Sequence, residues 1–193
     1  PLLDLREYHD PARRDRFIAA LRTAAREAGF FHLHGHGVDP ALAARVLELG
    51  RGFFALPEEE KLEIRMENTR HFRGYTRVGS ERTGGRVDWR EQIDVGLEQP
   101  ALEVSPADPP WRRLPGPNQW PRRPAGLREA VLAWHEALQP VADALLRAFA
   151  ISLGQPEDVF DECTRGLPNQ VVKLIRYPGR APEEGDQGCG AHK

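Results

Sequence analysis

Apolar residues recur at helical spacing in three stretches of the chain and alternate at strand spacing in shorter ones. From Pro11 to Ala28, the positions Phe17, Ile18, Leu21, Ala24 and Ala25 form one apolar stripe, with Arg and Glu on the other face. Gly29 closes that helix as a C-cap. Asp39-Pro40 supplies an N-cap followed by proline at the first helical position, predicting a helix to about Phe54. The third helix runs from about Gly126 to Leu153 on the stripe Leu127, Val131, Trp134, Leu138, Val141, Leu145, Ala148 and Phe149. Pro140 inside it is expected to kink or split it. Short helices are predicted at Pro57-Glu-Glu-Glu-Lys61, whose acids suit an N-terminal dipole, and from Pro156 to Cys163.

Strands are predicted at Leu3–Leu5, Phe30–His34, Glu91–Leu97 and Gln170–Tyr177, the last being the clearest. Residues 70–88, rich in Gly, Arg and Thr, read as an exposed, mobile segment. Residues 99–124, dominated by Pro and Trp, read as a long irregular connection, and Trp111, Trp120 and Trp134 read as anchors packing helices on the sheet. A chain of 193 residues can form one sizeable domain or part of a larger one.

A formal charge of −2 carries no basic bias toward nucleic acid or an anionic membrane. No apolar run approaches the roughly 18 residues that span a bilayer. Pro1-Leu-Leu-Asp-Leu-Arg6 lacks the look of a secretory signal, and Cys163 and Cys189 give neither a disulfide framework nor a CxxC pair. The expectation is a reducing, cytoplasmic setting, with oligomeric state open.

Six segments carry a family resemblance. They are Gly29-Phe-Phe-His-Leu-His-Gly-His-Gly-Val38, Phe53-Phe-x-Leu-Pro-x-Glu-x-Lys61, Arg73-Gly-Tyr75 with Gly79-Ser-Glu81, Asp88-Trp-Arg-Glu-x-x-Asp-Val-Gly96, Gly116-Pro-Asn-Gln-Trp-Pro121, and Tyr177-Pro178 followed by Gly188-Cys-Gly-Ala-His192. In this order they resemble the N-terminal part of the isopenicillin N synthase-like Fe(II)/2-oxoglutarate-dependent dioxygenases, with Gly35 where Asn is usual.

The resemblance implies an α+β fold: a double-stranded β-helix (jelly-roll) core preceded by helices, with only its N-terminal part in this chain. Residues 1–122 would form the N-terminal region, and residues 123–193 the long helix and the start of the core. It implies Fe(II) with 2-oxoglutarate as cosubstrate, O2, and oxidation of a small molecule by hydroxylation, desaturation or cyclisation, with release of succinate and CO2.

His192 would be the first iron ligand, in a His-x-Asp pair whose Asp would be the next-but-one residue position of the motif, past Lys193. Residues i and i+2 of a strand point the same way and can share one metal. Tyr177 would contact 2-oxoglutarate, although Ile175 replaces the Asn that relatives carry two residues earlier. Lys173, on the same strand face as Ile175 and Tyr177, would meet an anionic substrate group. Glu81 and Thr83 align with the substrate-contacting loop of the ethylene-forming branch, whereas Arg82, Arg86 and Arg90 read as surface.

His32, His34 and His36 could face one side of a strand and suit a transition metal, but turn glycines interrupt them and a structural reading is preferred. The 193 residues by themselves are expected to be inactive. Other readings are an ethylene- or isopenicillin N synthase-type oxidase, a noncatalytic binding or interaction domain, and, more weakly, a structural zinc protein.

Overall fold

The computed structural model describes residues 1–164, 170–179 and 187–191. They belong to two units, Pro1–Ala43 with Ala133–Pro168, and Ala44–Leu132 with Asn169–Lys193.

In the first unit, β1 (Leu2–Asp4) pairs in parallel with β2 (His32–His34), so that Leu3 lies beside Leu33. Between them run α1 (Leu5–His9) and α2 (Arg14–Glu27); Gly29 follows α2 at φ +76°, the left-handed C-terminal geometry expected of it. A buried cluster of Leu3, Leu5, Tyr8, Phe17 and Leu21 packs with Val141, Ala144 and Ala148, and Trp134 lies partly buried against it. Those last residues belong to α5 (Leu127–Ser152), which passes through Pro140 as one helix rather than splitting there. Of the helix expected from Pro156 to Cys163, only α6 (Asp161–Thr164) is helical. Gly35 has a local reason as well. A Cβ there would lie 2.2 Å from the Asp4 carboxylate, which caps α1 and pairs with Arg6.

In the second unit, α3 (Pro40–Phe54) begins where Asp39 accepts a hydrogen bond from the Ala41 N–H, 2.8 Å away. After it come α4 (Glu58–Leu62), β3 (Gly74–Thr76), the small hairpin β4 (Arg82–Thr83) and β5 (Arg86–Val87), β6 (Glu91–Gly96) and β7 (Val171–Arg176). β6 is the centre of a three-stranded antiparallel sheet in the order β3-β6-β7, with Tyr75 opposite Ile93 and Lys173 opposite Asp94.

This register sorts the side chains onto two faces. Tyr75, Glu91, Ile93, Val95, Leu174 and Arg176 share the face against α3, where the Phe53 ring meets Tyr75 at 5.8 Å and Gly50 leaves room for Leu174. Gln92, Asp94, Lys173 and Ile175 share the other.

The motifs of the loops close this sheet. The Asn118 amide pairs with both backbone groups of Gly96, at 2.8 and 3.0 Å. Gln119 donates to the carbonyls of Arg65 and Arg73, and Trp120 donates to Glu98. Arg73, buried, lies across Gly96.

Gly74 sits at φ +116°, and a Cβ on it would come within 2.2 Å of the Ile64 carbonyl oxygen, a backbone atom that cannot rotate away. Gly74→Ala is therefore expected to cost at least about 2 kcal/mol, combining left-handed strain with that clash. Urea denaturation measures it.

The segment 70–88 is exposed only in part: residues 76–87 lie at or near the surface, whereas His71, Arg73, Gly74, Tyr75 and Asp88 are buried. Trp111, expected to be a core anchor, is 63% exposed within a 3-10 turn, because residues 99–124 run along the surface and lend it no partner layer. Among the described residues no helix is long and apolar enough to cross a membrane.

Candidate active site

All six residues of β6 are buried, although three of them are Glu91, Gln92 and Asp94. A buried polar group is tolerated only where it is hydrogen-bonded, so each of the three marks a built interaction.

On the α3 face, one Glu91 oxygen accepts from Lys61 Nζ (2.7 Å) and Tyr75 Oη (2.6 Å), and the other from Arg176 (2.7 Å). Burial acts against this carboxylate, but the three donors outweigh it and hold its pKa below the ordinary glutamate value. The same burial, together with the Glu91 acceptor, pushes the Tyr75 hydroxyl far up, so it remains a donor.

On the opposite face the groups join into one network. Lys173 Nζ lies 2.8 Å from Asp94 Oδ1, and Gln92 Nε2 donates to Asp94 Oδ2 (2.7 Å) and to Glu81 Oε1 (3.3 Å). Glu81 Oε2 lies 2.6 Å from an Arg90 Nη2 that is also 3.5 Å from Asp88 Oδ2. Arg90 donates as well, at 3.5 Å, to the Cys189 thiol, and the Tyr177 hydroxyl is near enough to favour its charge. Burial works against the Arg90 charge, yet Tyr177 and Glu81 raise its pKa overall. Asp88 accepts from Thr83 Oγ1 (2.8 Å), Gln187 Nε2 (2.9 Å) and the Gly190 N–H (3.2 Å).

Of the residues expected at a site, Glu81, Thr83 and Tyr177 therefore converge around Arg90 and Asp88, and Lys173 reaches them through Asp94 and Gln92. Arg90 is not the surface residue it was expected to be, since its side chain is only 17% exposed. Sequence reasoning missed Arg90, Asp88, Gln92 and Asp94 as a group; the signal was their shared parity, since alternate residues approaching and along β6 face one way. Asp94 also feels the buried Arg73 guanidinium, so three carboxylates, Glu81, Asp88 and Asp94, face three cations, Arg73, Arg90 and Lys173.

His192 lies outside the described residues. Among those described, no group of three His, Cys, Asp or Glu could hold a metal, the His32–His36 segment included. A single imidazole is a suitable Fe(II) donor but not a complete site.

A separate groove of about 690 Å³ follows the α3 side of β7, lined by Val46, Leu47, Gly50, Phe54 and Leu174 among others. It is mainly apolar and brings no donor set or nucleophile together.

Comparison with known proteins gives the Arg90 network a context. The family model described as the N-terminal region of non-haem dioxygenases, "non-haem dioxygenase in morphine synthesis N-terminal", matches residues 1–123. The chain is 36% identical over its whole length to the 2-oxoglutarate-dependent dioxygenase frbJ of Dothideomycetidae sp., covering 52% of that protein. It is 38% identical over 91% of its length to a homoarginine-6-hydroxylase of Oryza sativa subsp. japonica, covering 54% of it. A crystal structure of a putative 2OG-Fe(II) oxygenase family protein from Caulobacter crescentus superimposes with a TM-score of 0.75 at 23% identity, over 96% of this chain and 58% of that one.

The chain belongs to the non-haem Fe(II)/2-oxoglutarate-dependent dioxygenase family. It spans about half the length of the curated relatives it matches.

Proposed function

We propose that the full-length protein is a non-haem Fe(II), 2-oxoglutarate-dependent oxygenase acting on a small molecule that carries both a cationic and an anionic group. The observation that carries this reading is the network centred on Arg90, which brings Glu81, Thr83, Tyr177 and the segment before His192 to one face of the sheet.

In this reading His192 is one iron ligand, and the others come from the part of the protein that relatives have beyond the matched span, where the jelly-roll core would be completed. Bound Fe(II) would activate O2, the oxidant, and 2-oxoglutarate would supply two of its four electrons on conversion to succinate and CO2, the substrate supplying the other two.

The chain's own residues bind and orient. Tyr177, half-exposed near Arg90, offers its hydroxyl toward the carboxylate of the cosubstrate. Lys173, 41% exposed, offers an ammonium to a substrate carboxylate. Glu81, 29% exposed and fixed by Arg90 and Gln92, offers its carboxylate to a substrate cation, with Thr83 beside it. The similarity to a homoarginine-6-hydroxylase, whose named substrate carries a guanidinium, supports the same class.

The test is a panel of amino acids incubated with the full-length protein, Fe(II) and 2-oxoglutarate, with succinate as readout. Arginine, homoarginine or lysine is expected to stimulate turnover more than norleucine or glutamate; preference for norleucine would overturn the substrate class. Glu81→Gln is expected to raise KM for the cationic substrate about tenfold or more, since a charge-assisted hydrogen bond is lost.

A further inference from the structure

Asp88 has no part in the binding roles above, yet it is fully buried and accepts three hydrogen bonds. Its two oxygens divide their partners. Oδ2 takes the Thr83 hydroxyl on the β4–β5 hairpin and faces Arg90. Oδ1 takes the Gln187 amide and the Gly190 N–H, both on the segment that reaches His192 two residues later.

Further bonds run across the same seam. Gln187 Nε2 also donates to the carbonyls of Thr83 (3.2 Å) and Arg86 (3.1 Å), and the Gln187 carbonyl accepts from the Trp89 N–H at 2.8 Å. Gly190 is buried against Thr83, where a Cβ would come within 2.8 Å of the Thr83 Cβ. Two stretches a hundred residues apart are therefore joined side by side, with Asp88 bonded to both.

We propose that Asp88 is a positioning residue that latches the segment leading into His192 onto the hairpin carrying Thr83, so that the metal ligand and the substrate-facing loop keep one common placement. This rests on the reading of His192 as an iron ligand, but the latch has a readout that needs no iron. Cys189 lies inside the latched segment, half-buried beside Arg90, so its thiol reports whether the segment is held.

The experiment uses the full-length protein with Cys163→Ser as background, because Cys163 is exposed and would otherwise dominate labelling. Two quantities are measured: Fe(II) affinity under anaerobic conditions, and the rate of Cys189 alkylation by iodoacetamide. Asp88→Ala removes every latch bond to the carboxylate, and is expected to weaken Fe(II) binding about tenfold and to speed alkylation about tenfold. Asp88→Asn keeps an acceptor oxygen for Gln187 and Gly190, and can place its amide against the Thr83 hydroxyl. It is expected to stay within about threefold of the parent in both.

That split separates positioning from a general loss of stability, which is followed in parallel by melting temperature. Parent-like values for Asp88→Ala in both measurements overturn the proposal, as does Asp88→Asn behaving like Asp88→Ala. Should Asp88→Ala fail to fold, Gln187→Ala replaces it: faster alkylation supports the latch and an unchanged rate overturns it. Absence of Fe(II) binding by the parent would sink the oxygenase reading, while the alkylation rates would still decide the latch.

Discussion

Glu91→Ala is expected to lower stability by about 3–5 kcal/mol, the cost typical of removing one partner from a buried ion pair. The carboxylate is almost wholly buried and accepts from Lys61, Tyr75 and Arg176. Lys61 is itself 7% exposed, so truncation would strand an ammonium and a tyrosine hydroxyl inside the second unit. Arg176, with a side chain 47% exposed, can turn to water and adds little to the loss. Against a typical total of about 5–15 kcal/mol, such a loss leaves a barely folded protein. Urea titration at neutral pH measures it, and a loss below about 1 kcal/mol would show that the cluster does not hold α4 to the sheet.

The same carboxylate predicts an acid dependence. Its pKa is lowered in the folded state, so its stabilisation is complete above the ordinary value of 4.5, shrinks as pH falls below that, and is gone once pH passes below the depressed folded value. Glu91→Gln is expected to flatten this part of the stability profile between neutral and acid pH.

His192→Ala is expected to abolish iron-dependent turnover of 2-oxoglutarate by the full-length protein, by at least about a hundredfold. Losing a direct ligand should exceed the 10–100-fold typical of losing an outer partner. The melting temperature should stay within about 3 °C. Fe(II) titration of parent and variant separates lost binding from lost folding. An unchanged Fe(II) affinity would remove His192 from the site.

The helices were readable because their signals are local. The apolar stripe of 14–27, the Asp39-Pro40 start and the stripe of 127–152 each lie within one stretch of chain, and each appears within a few residues of where the pattern places it. Pro140 does not split the long helix, which continues through it.

The buried positions within the segment 70–88 were misread for the opposite reason. Their charges suggest solvent, but Arg73 is covered by packing on Gly96, and Asp88 finds partners at Gln187 and Gly190, a hundred residues away. No local pattern announces such partners. Arg90 was lost in the same way: it reads as one arginine among several until Glu81, Tyr177 and Cys189 are seen around it. The motifs that carried the family resemblance prove largely structural. Lys61, Arg73-Gly74-Tyr75 and Asn118-Gln119-Trp120 close the sheet, and Glu81, Thr83 and Tyr177 line its open face.

The most direct test of the account is succinate formation by the full-length protein supplied with 2-oxoglutarate, O2 and a cationic amino acid, with Fe(II) added or removed by chelation. The account predicts succinate that appears with Fe(II), disappears on chelation, returns when Fe(II) is restored, and is absent from His192→Ala. Succinate formation that survives chelation, or that His192→Ala supports at the parent rate, would contradict it.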